Sequence, residues 1–581
     1  MLQQFSLSFA RTLRKLLAQL YPRANFDGVS FPLVIPPQPD MGDFALPCFA
    51  IAQRLKEPPK QIAATLAEAL QPTSLIASYS SMGPYLNISV KRASYIARVV
   101  SAITRRGAAY GTHRANRRKR VMVEFSSPNT NKPQHLGHVR NNVYGAAIAN
   151  LLAASGIHVV RANLINDRGI HIMKSVLAYQ RWGKSETPKR AGVKGDCFVG
   201  EWYVRFEREA KKNPELLEEA QALLRLWETG DDTTRRVWKR MNAWVLEGFR
   251  TTYSRLGIAF DKIYFESELY EQGKRIVLQA LAAGICYKRP DGAIEIDLSG
   301  EGLDKKVLLR ADGTSIYITQ DLGATVKKFE EYKLDEAYWV VASEQNYHFH
   351  VLFALLKKLG YPFWDQCHHI AYDLVHLPEG RMKSREGTSV DADDLLDRLE
   401  TLARETVIAK HPRIAKREAT KRARIIALGA LKFMLVRVAA NKTITFNPKS
   451  ALSFEGATGP YIQYTYARAK SILRKGLTVK KAVHQKKRAT GTVEHEEMAL
   501  ATALAAYPDV VARAGEETAP AILATYLLDV ASAFNTFYHA LPVLRAKETS
   551  LRKARLALTQ ATATVLCNGL ALLGISAPEK M

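Results

Sequence analysis

The sequence predicts a multidomain α/β chain: a parallel-sheet domain split by a helical insertion, a small α+β unit before it and an all-α domain after it. Three observations predict this. Strand–helix–strand alternation, the pattern that builds parallel sheets, occurs over 121–165 and again over 336–377. A charged, mostly helical stretch from 182 to 305 separates the two occurrences. From 413 onward, alanine and leucine dominate and apolar residues recur at i, i+3, i+4 spacing. A chain of 581 residues has room for such a set of domains.

The elements follow in order. Phe5, Phe9, Leu13, Leu16, Leu17 and Leu20 recur at helical spacing. The first 26 residues, which carry no acid, therefore read as the first helix of a folded domain rather than as a transit peptide. A strand over 29–35, proline-rich turns over 36–43, a second helix, an amphipathic helix over 60–70 and a strand over 85–90 complete a unit spanning 1–110. The style changes at 120. A short β run over 121–125, a turn-rich loop over 126–134, a helix over 138–154 and a strand over 157–165 open the split domain. Its second half is a strand over 336–342, a helix over 347–359 and a strand over 368–377. The split domain spans 117–410 and the all-α domain 411–581. Three basic runs, 105–120, 410–424 and 474–488, fall where the pattern changes; they read as domain borders that can also touch phosphates.

Composition narrows the function. Hydrophobic residues make up 47% and charged residues 24%, as in an ordinary globular protein. The charge is unusual: 83 Lys+Arg against 56 Asp+Glu leaves +27, which points to a polyanionic partner, nucleic acid before an anionic membrane. Cys48, Cys197, Cys286, Cys367 and Cys567 are far apart and form no C-x-x-C pair, so neither a zinc site nor a disulfide framework is expected, and a reducing compartment, the cytoplasm, fits. No apolar run reaches the roughly 18–20 residues that span a bilayer; 425–440 comes closest but contains Lys432 and Arg437, so no membrane partner is expected.

Three constellations carry chemistry. In the first, Ser127-Pro128-Asn129-Thr130-Asn131-Lys132-Pro133-Gln134-His135-Leu136-Gly137-His138 links a strand to a helix. A helix N-terminus suits phosphate, two histidines can donate to its oxygens, Gly137 lets a flat base approach the backbone, and Lys132 adds a mobile charge. The second, Gly380-Arg381-Met382-Lys383-Ser384-Arg385-Glu386-Gly387-Thr388, is a basic loop between glycines that could close over phosphates. The third, 312–321, places Tyr317 and Asp321 at i, i+4, one helix face, where a carboxylate and a phenol could receive a cationic side chain. A capping stretch with Tyr317 in the core is the plainer alternative.

Here the resemblance becomes specific. His135-Leu136-Gly137-His138 resembles the HIGH motif of class I aminoacyl-tRNA synthetases, and Arg381-Met382-Lys383-Ser384-Arg385 a degenerate KMSKS loop. The surrounding residues resemble the arginyl-tRNA synthetase family: Glu124-Phe125-Ser126-Ser127-Pro128-Asn129 then Lys132-Pro133, and Asn166-Asp167-Arg168-Gly169. Asp312-Gly313-Thr314 with Tyr317 and Asp321, Glu344-Gln345, and Gly459-Pro460-Tyr461 with Gln463-Tyr464 continue it. Gly42-Asp43-Phe44 resembles that family's N-terminal domain, and the similarity runs end to end. One departure is the loop, where Arg381 and Ser384 replace the KMSKS lysines and Lys383 stands at the usual serine; Lys132 sits where a compensating lysine is expected.

The resemblance implies a split Rossmann-like catalytic domain, an N-terminal additional tRNA-binding domain and a helical anticodon-binding domain. It implies an arginine–tRNA ligase with ATP, L-arginine and the tRNA for arginine as substrates, acting as a monomer. Arginine would be held by Glu124, Asn129, Tyr317, Asp321 and Gln345. ATP would be held by His135, Gly137, His138, Arg381, Met382 and Lys383, with His135, His138, Lys132 and Arg385 serving catalysis. Magnesium would accompany ATP without a protein-built metal cage. Phe534, Phe537 and Tyr538 are candidates for stacking on anticodon bases, with helical core as the alternative. Two rivals stay open: another H-x-G-H nucleotidylyltransferase, which needs no helical last third, and a non-catalytic tRNA-binding paralogue, which would have lost its site residues.

Overall fold

The computed structural model describes residues 2–113, 116, 118–183, 185–378, 390–478 and 493–581. Helix α1 (Leu2–Leu20) buries Phe9, Leu13 and Leu17, one every turn, as an amphipathic helix must. Beyond it lie β1 (Phe44–Pro47), α2 (Phe49–Leu55), α3 (Pro59–Ala69), β2 (Ile76–Met82), β3 (Tyr85–Val90) and α4 (Arg92–Arg106). The strands form an antiparallel sheet in the order β1-β3-β2. The strand expected over 29–35 is reduced to one bridge, Val34 to Ala45. Pro32 lacks the N–H that a ladder needs, although Val29 and Phe31 are still buried.

The split domain continues with β4 (Arg120–Glu124), α5 (Leu136–Ala154), β5 (His158–Ile165), α6 (Ile170–Trp182), α7 (Pro188–Ala191), α8 (Gly195–Ala210), α9 (Glu215–Thr229), α10 (Asp232–Leu256), β6 (Lys262–Phe265) and α11 (Glu266–Ala282). Next come β7 (Tyr287–Lys288), β8 (Ile294–Ile296), β9 (Lys306–Leu309), α12 (Tyr317–Tyr332), β10 (Glu336–Ala342), α13 (Asn346–Lys358), β11 (Cys367–Tyr372) and β12 (Val375–His376). The main sheet has the order β11-β10-β4-β5-β6, every neighbouring pair parallel. The order switches direction at β4 and β10, and in open α/β sheets ligands bind beyond the carboxyl ends of the strands at such a point.

Two expectations need correction. The stretch 182–305 is not wholly an insertion, because β6 inside it is the edge strand of the main sheet, Ala162 pairing with Lys262. Four residues with Ile263 half exposed carry no legible alternation; pairing with β5 decides their place. The strand expected over 368–377 breaks after Tyr372. Its continuation, β12, pairs instead with a distant segment, Ile444–Thr445.

The last third comprises α14 (Ala392–Lys410), α15 (Lys416–Val436), β13 (Ile444–Thr445), α16 (Pro448–Ala451), α17 (Gly459–Thr478), α18 (His495–Glu516), α19 (Pro520–Ala540) and α20 (Thr549–Leu572). Helices α14, α15 and α18 pack against α5. With the sheet on one side and helices on the other, α5 is apolar nearly all round, as a fully buried helix should be. The first and last units also meet: Tyr110 stacks on Tyr507 and donates to the Leu504 carbonyl at 3.1 Å. No helix among the described residues is long and apolar enough to cross a membrane.

Candidate active site

The loop leaving β4 is strained and heavily braced. Ser126 (φ 79°) and Ser127 (φ 42°) both adopt left-handed backbone, which costs a non-glycine residue about 1 kcal/mol or more. The brace is polar. Asn141 of α5 accepts from the Ser126 N–H, Asn163 of β5 from the Ser127 N–H at 3.1 Å, and the Ser126 and Tyr253 hydroxyls meet at 2.7 Å. Beyond it, the Thr130 N–H donates to the Asn166 carbonyl and the Asn166 N–H to the Pro128 carbonyl, so half-buried Asn129 is fixed as a bridge partner of Asn166.

His135 caps α5. Its Nδ1 accepts from the Gly137 N–H at 3.2 Å, and its own N–H donates to Nδ1 of His138 at 3.2 Å. Both Nδ1 atoms are thus acceptors, so each neutral ring carries its proton on Nε2, free to donate to a ligand. The rings lie 4.0 Å apart. Burial, then the nearby Lys132 charge, holds His135 down to about 4, and burial, then His135 and Lys132, holds His138 well below the ordinary histidine value. At neutral pH they are donors without charge.

Both histidines and Gly137 line a cavity of about 250 Å³ with Glu344, Asp373 and His376. Arg381, Met382, Lys383 and Arg385 lie outside the described residues, but both flanks of their stretch reach this turn. His376 lines the cavity, and beyond the stretch Asp391 bridges to His135 while the Ala392 N–H donates to the Gln134 carbonyl at 2.8 Å.

The other half of the site is acidic. Tyr317 opens α12, 63% exposed, with Asp321 one turn on, so these two do share a face. Asp321 Oδ2 meets His348 Nε2 of α13 at 2.6 Å, a pair that outweighs burial and raises the His348 pKa. Gln345, just before α13, is exposed. Buried Glu266, at the start of α11, is pushed up to about 8 by burial, only partly offset by Arg168, with Asp321 and Asp167 adding to the rise. Glu124 is not grouped with them. It is buried and paired with buried Lys328 of α12 at 2.5 Å, seven residues from Asp321 and therefore about two turns, roughly 10 Å, along that helix.

A family model for the class I arginyl tRNA synthetase catalytic domain matches residues 99–446, one for the DALR anticodon binding domain matches 462–581, and one for the arginyl tRNA synthetase N-terminal domain matches 5–90. The chain belongs to the arginyl-tRNA synthetases. Arginine–tRNA ligases of Treponema pallidum and Bacteroides fragilis are each 42% identical to it, covering 96% and 93% of this chain and 95% and 94% of their own. The structure of the Thermus thermophilus arginyl-tRNA synthetase superposes with a TM-score of 0.80 at 30% identity, over 98% of this chain and all of that one. As a member of the family the enzyme is an aminoacyl-tRNA ligase that uses ATP to join arginine to its tRNA.

Other residues of this synthetase escaped the sequence reading. Arg140, Asn141 and Asn142 are buried on α5, beginning two residues after His138. Asn141 donates to the Val340 carbonyl of β10 at 2.7 Å as well as bracing Ser126, and Asn142 donates to Gln134 at 2.8 Å. Three consecutive polar residues in an otherwise apolar helix were the signal. Lys328 gave none, being one of two adjacent lysines on a helix that reads as surface. In the helical domain the stacking candidates need correction: Phe534 and Phe537 of α19 are fully buried, facing the bundle core, and cannot offer a ring face to a base. Tyr538, 38% exposed with Arg468 5.2 Å from its ring, remains accessible.

Proposed function

We propose that the arginine carboxylate attacks the α-phosphorus of ATP in the cavity beside His135 and His138, expelling pyrophosphate, and that the 2′-hydroxyl of the terminal adenosine of the tRNA then takes the arginyl group from the adenylate. The observation supporting this reading is the polarity of the site. Two neutral Nε2–H donors and Lys132 stand at the N-terminus of α5, while Asp321, Tyr317 and Glu266 gather at the N-termini of α12 and α11. In this parallel topology all three helix ends lie at the carboxyl edge of one sheet. Such phosphoryl chemistry needs alignment and charge stabilisation more than a proton donor, and histidines that stay neutral at pH 7 suit it.

Asp321, with Tyr317 and Gln345, receives the guanidinium in this reading, and Asn129 lies toward the amino or carboxyl group. Glu124 would have to exchange Lys328 for the substrate, and breaking a buried pair costs about 3–5 kcal/mol, so Asp321 carries more of the selectivity. Gly137 and the residues Arg381, Met382, Lys383 and Arg385 complete the ATP contacts. Magnesium enters with the nucleotide. No group of three or more His, Cys, Asp or Glu among the described residues is placed to hold a metal, and none is assigned to it. The working unit is a monomer in the cytoplasm, with an N-terminal tRNA-binding unit over 1–110, a catalytic unit over 117–410 and an anticodon-binding unit over 411–581. The test is aminoacylation of total tRNA with each of the twenty amino acids, beside pyrophosphate exchange. Charging with arginine alone supports the assignment; charging with another amino acid, or tRNA binding without charging, overturns it.

A further inference from the structure

Arg140, two residues beyond His138 on α5, is completely buried. Its guanidinium reaches four backbone carbonyls, two on each of two straps. Nη1 donates to Asp373 and, at 2.8 Å, to Leu374; Nη2 donates to Ala440 at 3.1 Å and Lys442 at 2.9 Å. The Tyr372 ring lies 5.7 Å from its Cζ.

The straps have different destinations. One, 373–376, follows β11 and lines the cavity with His135 and His138. The other, 440–446, lies within the helical domain, between α15 and α16. They pair as β12 and β13, two residues each, with the Ile444 N–H donating to the Leu374 carbonyl and the Phe446 N–H to that of His376. The Thr443 hydroxyl adds a bond to Asp373 Oδ2 at 2.6 Å. A ladder this short is not self-supporting. A planar guanidinium, with donors on two edges, can hold both straps at once; a lysine ammonium, a single point on a flexible stem, cannot.

We propose that Arg140 is a positioning residue for arginine activation: it holds the His135–His138 turn in register with the 373–376 strap, and through the 440–446 strap ties the ATP site to the helical domain. The proposal rests on assigning ATP to the cavity beside His135 and His138. Arg140 touches no substrate in this scheme and acts through the placement of the turn and the strap.

The test uses the full chain carrying Arg140→Met or Arg140→Lys, assayed by arginine-dependent pyrophosphate exchange with tRNA present, together with thermal melting. Arg140→Met should lower kcat about 100-fold, the scale of a misplacement near 1 Å, and raise the ATP KM while the arginine KM stays within about two-fold. Arg140→Lys, which keeps the charge but not the fork, should recover less than about ten-fold of that loss. A lower melting temperature with kcat and ATP KM unchanged in the folded protein would mean a purely structural residue and overturn the proposal, as would full recovery by lysine. If Arg140→Met does not fold, Thr443→Val cuts one bond between the straps. It should raise the ATP KM about three-fold with the arginine KM unchanged, and no change in the ATP KM overturns the proposal. A wild-type chain that binds tRNA but does not respond to arginine would defeat the functional reading itself, an outcome distinguished by the control.

Discussion

The two ends of the candidate site handle charge in opposite ways. At the start of α5 a pair of half-buried histidines lies beside Lys132 and is kept neutral. At the start of α12 and α13 a histidine lies against Asp321 and is driven toward its charged form. The difference follows from neighbours rather than residue type: burial and a lysine depress one pair, while a carboxylate at 2.6 Å raises the other. The consequences for pH have opposite sign. His348, raised, contributes stability that is full below its unfolded pKa near 6.5 and fades as pH climbs through the folded value. His135 and His138, depressed, contribute stability that is present above 6.5 and lost as pH falls through the folded value, about 4 for His135. In the proposed reading, a site for two oppositely charged substrates is thus assembled from similar parts placed against different partners.

The largest expected effect tests the acidic end. Asp321→Asn should lower kcat/KM for arginine by about three orders of magnitude, roughly 4 kcal/mol, with the ATP KM little changed. Equal loss in both substrates would remove the division between the ends. Glu124→Gln leaves Lys328 buried without its partner and should cost about 3 kcal/mol of stability in urea denaturation, with a smaller rise in arginine KM than Asp321→Asn causes. A rise of equal size would show that Glu124 shares the guanidinium. His135→Ala or His138→Ala should each cost about 2 kcal/mol at the ATP step, the worth of one hydrogen bond to a charged group. Rates should carry no inflection from these two residues between pH 6 and 8, since His135 titrates at about 4 and His138 well below the ordinary value. A rise in pH through the raised His348 pKa sharpens the contrast at the other end. As His348 loses its proton it releases Asp321, so the arginine KM should fall about two- to five-fold as pH rises. An effect of similar size belongs to the helical domain, where Tyr538→Ala should weaken tRNA binding about five-fold, near 1 kcal/mol, without altering ATP-dependent steps.

Much of the candidate site was legible because its geometry is local. The strand, loop and helix that carry Asn129, His135, Gly137 and His138 are continuous in sequence, and Tyr317 and Asp321 lie one turn apart on one helix. What could not be read were partners from afar. Lys328 claims Glu124 from 204 positions away, and Arg140 reaches carbonyls some 230 and 300 positions ahead. The aromatic cluster of α19 failed for a related reason: helical spacing says that Phe534, Phe537 and Tyr538 fall near one another, but not which of them turns toward the core.

The sequence by itself determined the family, the order of the domains and the strand–loop–helix frame of the His135–His138 turn, since each depends on short motifs and on hydrophobic period. Tertiary structure alone decided which charges are free to meet a substrate. It recruited Lys262–Phe265 into the main sheet, broke the last strand at Asp373 to join it to Ile444–Thr445, and matched Glu124 with Lys328. The physical reason is that ionisation and pairing are set by distance and burial, and the groups involved become neighbours only when segments hundreds of residues apart pack together.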